Sequence, residues 1–221
     1  SYNTAEAELK SQLIRQLESV RNIKRDQVVR FFNERIRDTA AISRNPHTVE
    51  AFKALKSAFN SAKKLDDASF KGMMKGRYRA PDAYRYIHDR YNGYFKDLIN
   101  IYGYYDLFFL SRENGDIFYT VKKESDFATR ISQIRSPLRK IRRKTVQSGR
   151  PAISDTELYM PSIHIPAQFI SFPIYSNRKI LGVLAIQVTI ESIDEIMKER
   201  SGLWQTAETY LVGPDFKMRS D

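Results

Sequence analysis

The chain has 221 residues, 42% of them hydrophobic and 12% aromatic, which is enough to bury a sizeable core and excludes a disordered polypeptide. It contains no Cys, so disulfides, thiolate metal sites and Cys nucleophiles are excluded together, and an oxidising compartment would suit it. The net charge of +11 raises nucleic acid as a partner, but no nucleic-acid-binding signature accompanies it, and the longest apolar run, Ile180 to Ile186, falls far short of the roughly 18 residues of a membrane span.

Residues 4 to 44 form the first pattern. Leu9, Leu13, Leu17, Val20, Ile23, Val28, Phe31, Ile36 and Ala40 recur at helical intervals with no Gly or Pro before Pro46. The pattern predicts one helix of about 40 residues, roughly 60 Å long at 1.5 Å per residue. Such a helix is a coiled-coil stalk, a spine for other elements, or both in succession. Asn45-Pro46-His47-Thr48 breaks it, and Thr48 is the expected N-cap of a second helix from Val49 to about Lys63.

From Asp66 to Tyr105 the chain is rich in Tyr: Tyr78, Tyr84, Tyr86, Tyr91, Tyr94, Tyr102, Tyr104 and Tyr105, beside Phe70 and Phe95. Because Tyr is amphipathic, this density suits a region that closes over a core or a ligand with its hydroxyls hydrogen-bonded, and it equally suits ordinary packing. Asp89 to Ile101 has helical spacing and should stop at Gly103.

The period then changes from helix to strand. Tyr104 to Leu110 and Ile117 to Val121 flank a turn containing Asn114-Gly115, and Gln168 to Tyr175 and Ile180 to Ile190 flank Ser176-Asn-Arg-Lys, which predicts two antiparallel pairs. Between them lie a basic helix opened by Pro137 and closed by Gly149, and a short strand near Ala152 to Ser154. The helix carries Arg135, Arg139, Lys140, Arg142, Arg143 and Lys144 around a thin stripe of Leu138, Ile141 and Val146, and its plainest reading is a solvated basic face. The predicted class is α+β, with a long N-terminal helix packed on an antiparallel sheet of about five strands.

Enzymatic chemistry finds no footing. His47, His88 and His164 lack partners at metal-ligand spacing, and the pair Asp66-Asp67 sits in a polar loop. There is no Gly-rich phosphate loop, no Gly-x-Ser-x-Gly elbow and no kinase signature. No cofactor is expected.

The order of elements resembles a bacterial double Cache sensor domain, a PAS-like family. The residues that carry the likeness are Gly103-Tyr-Tyr-Asp-Leu-Phe-Phe-Leu with Asn114-Gly-Asp-Ile-Phe-Tyr-Thr-Val, Ile180-Leu-Gly-Val-Leu-Ala-Ile-Gln-Val, and Glu208-Thr-Tyr-Leu-Val-Gly-Pro-Asp with Met218-Arg-Ser-Asp. In that family an extracytoplasmic segment between two membrane spans holds a long helix and two PAS-like modules, the distal one usually binding a small molecule. The resemblance implies a spine helix over residues 1–45, a membrane-distal module over 46–200, and at 201–221 the opening of a truncated membrane-proximal module. It implies a periplasmic sensor anchored through removed flanking spans, dimeric in the full receptor, and serving a chemotaxis transducer, a sensor histidine kinase or a cyclase. Many amino-acid-binding relatives carry Arg-x-Trp-Tyr ahead of the first hairpin. Here the nearest text is Arg77-Tyr-Arg-Ala-Pro-Asp-Ala-Tyr and the single Trp is Trp204, so the ligand stays unnamed.

Strand alternation narrows the expected pocket. Asp106, Phe108 and Leu110 fall on one face of their strand and Tyr105, Leu107 and Phe109 on the other. One face should lie on the spine helix and the other look into a cavity beneath the Tyr-rich segment. On that basis Asp106, Phe108, Tyr119, Lys122, Asp126, Phe169 and Ser171 are the expected lining. Lys122 suits a carboxylate ligand and Asp126 an amine or hydroxyl, with aromatic walls for the rest. Lys122 and Asp126 also fit a surface pair, and Phe169 a core residue. A ligand-free dimerisation stalk or partner-docking module is the alternative to a sensor.

Overall fold

A computed structural model describes residues 2–65, 82–133, 135–163, 165–200, 202–203 and 207–220. Phe70, Tyr78, residues 77–81 of the Arg77 motif, the Asp66-Asp67 pair, His164 and Trp204 therefore lie outside the described residues. Among the described residues no helix is long and apolar enough to cross a membrane.

The chain divides into two compact units, one formed by residues 1–35 with 190–221, the other by 36–189. Helix α1, Tyr2–Arg44, supplies residues to both. Its uninterrupted length is what the sequence predicts, since nothing before Pro46 breaks the backbone ladder.

In the larger unit α1 gives way to α2, Pro46–Leu65. Helix α2 starts three residues earlier than expected. Pro46 takes its first position, where the missing N–H costs nothing, and the Asn45 side-chain oxygen accepts the His47 N–H at 2.9 Å. Thr48 is inside the helix and buried, and among the described residues its hydroxyl has no partner. Helix α3, Asp82–Tyr102, is longer than its predicted core and stops where Gly103 turns left-handed at φ 68°.

The sheet follows: β1 Asp106–Ser111, β2 Ile117–Thr120, β3 Ala152–Ile153, β4 Glu157–Tyr159, β5 Ile165–Ser176 and β6 Lys179–Thr189, with α4 Pro137–Ser148 between β2 and β3. All pairings are antiparallel, in the order β2-β1-β6-β5-β3, with β4 also pairing β5. Helix α4 is punctuated as predicted: the Ser136 side chain accepts the Arg139 N–H, Pro137 opens the helix and Gly149 closes it in the left-handed region. Its exposed side carries Arg139, Lys140, Arg143 and Lys144. Strand β4 has no sequence signature, because three residues cannot display an alternation.

Both faces of the sheet are covered. On one, Phe108, Leu110, Ala167, Phe169, Val183 and Ala185 pack with Leu138 and Ile141 of α4 and with Tyr159. On the other, α2 and α3 bring Phe52, Phe59, Tyr84 and Phe95 against Phe109, Phe118 and Tyr119. A register shift makes this possible. Phe109 pairs with Tyr119 but Leu110 with Ile117, which leaves Phe118 as an extra residue, and both Phe118 and Tyr119 then reach the helices. The Tyr-rich helix therefore clads the sheet on the side opposite Asp106 and Phe108. This corrects the expected lid: a helix joined to β1 by one left-handed turn folds back onto the face with the larger aromatic surface.

In the smaller unit, α5, Glu191–Lys198, has the buried Lys24 donating to the carbonyls of Ile196 and Glu199, both at 2.5 Å, a cation closing a helix C-terminus. After Ala207 the described residues form a single bridge, Val212 to Met218, with Gly213 N–H donating to Lys217 O at 2.9 Å.

Close approach fixes one glycine. A Cβ on Gly182 would lie 2.4 Å from the Leu110 carbonyl oxygen and 2.5 Å from Phe52 Cζ, and the carbonyl belongs to a paired strand that cannot yield. Gly182→Ala is expected to destabilise the protein by about 1–3 kcal/mol in urea unfolding, the range for overpacking. An unchanged midpoint would show that β6 and Phe52 have room to separate.

Candidate functional site: a buried acidic cluster

Gly103 ends α3, Tyr104 N–H bonds back to Ile99 O at 2.9 Å, and Tyr105 N–H bonds to Gln187 O at 2.9 Å, so the sheet begins at once and Asp106 opens β1 fully buried. Its cross-strand partner is Gln187, whose partner on β5 is Phe169, so the three share one face in a row. Gln187 is the polar exception in an apolar strand.

The 121–130 segment wraps the edge beside β2. It is tied to the strands by Val121 N–H to Leu107 O, Ala128 N–H to Ile117 O and Ile117 N–H to Thr129 O. Lys123 and Ala128 adopt left-handed φ values of 57° and 63°. The segment sends its side chains both ways. Lys123 reaches α3, with Nζ 3.3 Å from Asn92 Oδ1, and burial lowers its pKa to about 8 against the opposing pull of Asp106 and Asp89. Glu124 and Asp126 go to the other face.

There three carboxylates meet two tyrosines, a serine and Gln187. Tyr159 donates to Asp126 Oδ2 at 2.7 Å, Tyr105 to Glu124 Oε1 at 2.6 Å, and Ser162 to Glu124 Oε2 at 2.7 Å, while Gln187 Nε2 donates to Ser162 Oγ at 3.1 Å. Asp106 Oδ1 accepts three backbone N–H groups, from Leu107, Val121 and Lys122, at 2.7, 2.9 and 3.1 Å. Among the described residues its other oxygen, Oδ2, has no partner, and neither has Asp126 Oδ1; both atoms are shut off from solvent. Burial pushes the Asp106 carboxyl up to about 8, against its three N–H donors and helped by the nearby Asp126 charge. Burial also pushes Asp126 to about 6, against the Tyr159 hydroxyl, and Tyr105 to about 12. Among the described residues no group of three or more His, Cys, Asp or Glu has the arrangement to hold a metal ion.

Of the residues expected from the sequence, Asp106, Phe108, Asp126 and Phe169 converge here. Phe169 packs edge-on to Phe108 at 5.8 Å and to Tyr159 at 4.9 Å. Ser171 lies farther along the same face, where its hydroxyl is 2.7 Å from that of Thr145 and serves to seat α4. Lys122 contributes its backbone N–H, while its exposed side chain lies over the Tyr105 ring at 4.9 Å. Tyr119 is on the opposite face, bonded to Asn92, because Thr120 rather than Tyr119 pairs with Phe108. Sequence reasoning missed Tyr105, Glu124, Tyr159, Ser162 and Gln187. Only Gln187 carried a signal, as the lone amide in an apolar run.

The raised carboxyls set the sign of the pH dependence. Both lie above the unfolded value of about 4, so between about pH 4 and 8 the folded chain binds more protons than the unfolded one and loses stability as pH rises. Asp106→Asn keeps an oxygen for the three N–H donors and removes the charge. At pH 8 it is expected to melt about 2–4 °C or more above the parent and to show a flatter pH profile by scanning fluorimetry. Parallel profiles for the two proteins would show that Asp106 ionises without cost.

No protein-family model and no curated protein matches the sequence. Solved structures do. The sensor domain of the Vibrio cholerae histidine kinase DctB superposes with a TM-score of 0.62 at 15% identity, over 86% of this chain and 61% of that one. The ligand-binding domain of the Campylobacter jejuni chemoreceptor Tlp3, in complex with 4-methylisoleucine, matches with a TM-score of 0.48 at 13% identity, over 78% and 67%. That of the Pseudomonas fluorescens chemoreceptor CtaA, in complex with L-serine, gives 0.45 at 10%, over 89% and 73%. The chain thus spans about three-fifths, 61%, of the DctB sensor domain. Its fold, a long N-terminal helix with an antiparallel sheet clad on both faces, is that of the Cache-type sensor domains.

Proposed function

We propose that residues 36–189 are the small-molecule-binding module of a bacterial transmembrane receptor, facing the periplasm, and that its ligand carries an ammonium group. The observation that carries this reading is the pair of buried carboxylate oxygens on Asp106 and Asp126 that have no partner among the described residues. Leaving a charged acceptor unpaired in a dry site costs free energy, and an ammonium brings up to three N–H donors and the opposite charge. Tyr105, Tyr159, Ser162 and Gln187 add hydroxyls and an amide able to orient a polar substituent, and Phe108 and Phe169 supply an apolar wall. Once Asp126 and then Asp106 ionise, above about pH 6 and 8, three carboxylates repel a ligand that is only an anion, so of the two ligand classes that the sequence left open, carboxylate and amine, the site favours the amine. The Cache-type fold supports the sensor role.

The measurement is a thermal-shift and calorimetric screen of short primary amines, diamines and amino acids beside dicarboxylates. Amines are expected to raise the melting temperature of the parent and to lose most of that effect in Asp106→Asn and Asp126→Asn. Affinity should rise from about pH 6 to 8, as both carboxyls shed their protons while an amine of pKa near 10 keeps its own. Stabilisation by dicarboxylates alone would sink the reading.

The receptor reading also assigns the long helix as relay and dimer contact, with residues 46–200 as the distal module and 201–221 opening a second. In favour of dimerisation, Leu9, Leu13 and Leu17 recur every fourth residue and are exposed on α1. Leu13→Glu is expected to shift a concentration-dependent dimer to monomer in sedimentation equilibrium. A parent protein that stays monomeric at all concentrations would count against dimerisation by this helix alone.

A further inference from the structure

For the acidic cluster to serve as the sensor's site, something must move: Asp106 is 0% and Asp126 2% exposed, so no ligand reaches their open oxygens in this conformation. The walls differ in how firmly they are held. The sheet wall is β1, β6 and β5, joined by long continuous ladders. The 121–130 segment is stitched to the strands through backbone hydrogen bonds. Helix α4 is anchored by Leu138 and Ile141 in the core.

The remaining wall, Asp155–Ile163, is held mostly through side chains, the Tyr159 ring packing on Phe169 at 4.9 Å and Glu157 pairing with Lys140 of α4 at 2.5 Å. Strand β4 pairs over three residues, and its central one, Leu158, lies opposite Pro166, which has no N–H to give. Leu158, Met160 and Ile163 point their side chains into solvent, Ile163 being 82% exposed. The two buried anchors of this wall, Tyr159 and Ser162, both end on the site's own carboxylates, at Asp126 and Glu124. At one end, Ser154 is pinned to β5 by its N–H to Phe169 O and by Phe169 N–H to its hydroxyl. At the other end Ile163 sits at φ 56° and ψ 44°, a left-handed conformation that a β-branched side chain disfavours. Among the described residues, the left-handed non-glycine positions beyond the Asn177-Arg178 hairpin turn and Phe216 are Lys123, Ala128 and Ile163, each within two residues of a member of the cluster.

We propose that Asp155–Ile163 is the gate of the acidic site, hinged after Ser154 and at Ile163, and latched shut by the Tyr159 and Ser162 hydroxyls on the carboxylates. The inference rests on the sensor reading for its purpose, but its mechanics belong to the protein without ligand. Opening breaks the Tyr159–Asp126, Ser162–Glu124, Gln187–Ser162 and Lys140–Glu157 contacts and the three-residue β4 ladder, draws the Tyr159 ring off Phe169 and relieves the Ile163 backbone, while the β1-β6-β5 ladders, the 121–130 segment and the Leu138 and Ile141 anchors of α4 stay in place. An ammonium seated on the open oxygens leaves both latches free to close over it, so occupancy lengthens the closed state.

Hydrogen-deuterium exchange of the purified protein, with no ligand added, tests the gate. Amides in 157–163 should exchange at least about ten-fold faster than those in 183–188 of β6, as a unit that opens on its own. Tyr159→Phe, which removes one latch, should speed exchange of the gate by about ten-fold or more and leave β6 unchanged. Ile163→Gly, which accepts the left-handed backbone without strain, should slow the gate about two- to five-fold. The opposite signs of the two variants separate gating from general destabilisation. If the gate exchanges at the rate of β6 in all three proteins, or if both variants shift the two segments together, the proposal is overturned. Because no ligand enters this measurement, a failed amine screen removes the sensor reading, and uniform exchange removes the gate.

Discussion

The site depends on one carboxyl placed where a carboxyl is costly. Asp106 opens a central strand at full burial, with one oxygen saturated by three backbone N–H groups and the other without a hydrogen-bond partner among the described residues. The saturated oxygen has a structural use: it gathers the N–H groups of Val121 and Lys122 and so fixes where the chain leaves β2. That departure point decides where Glu124 and Asp126 arrive. The second oxygen has no such use, and a folded chain retains an unpaired buried acceptor at a cost of about 1–3 kcal/mol. On the proposed reading, strand geometry and ligand chemistry thus meet in a single side chain, its two oxygens divided between them.

The sheet separates two kinds of packing. On the α2 and α3 side, interlocking aromatic rings from Phe52 to Tyr119 make a dry core, with Lys123 and Asn92 as its polar margin. On the α4 side a smaller apolar cluster stops at Phe169 and Tyr159, and polar groups take over. Segment 121–130 passes between the two, with Lys123 on one side and Glu124 and Asp126 on the other. Movement of the carboxylates is therefore mechanically continuous with the footing of α3. On the proposed sensor reading this segment would join ligand occupancy to helix position, because a ligand that prefers one arrangement of it shifts the population toward that arrangement.

Much of this was legible in the residues. Asn114-Gly115 and the alternation on either side marked the first hairpin, and Ser136, Pro137 and Gly149 bracketed α4. Asp106 and Phe108 were assigned to one face because adjacent residues of a strand must diverge. Tyr119 escaped because that rule holds only while the register does, and the extra residue Phe118 reverses the parity on β2. Strand β4 escaped because it forms only where β5 is already present to pair with it. Tyr159 and Ser162 lie on or just beyond that strand, so half of the acidic cluster's partners were hidden with it.

By itself the sequence determined what local chemistry can enforce: an unbroken helix up to Pro46, the ends of α3 and α4, two hairpins, and the pattern that makes the class α+β and the likeness to Cache sensors recognisable. Each of these depends on residues within a few positions of one another. Which face carries the cluster, which helices cover the other, and which carboxylate oxygens are left open were decided only by tertiary structure. Those outcomes depend on distant segments, 105–106, 121–130, 157–163 and 187, meeting in one place, and on a single unpaired residue in one strand that no neighbouring residue announces.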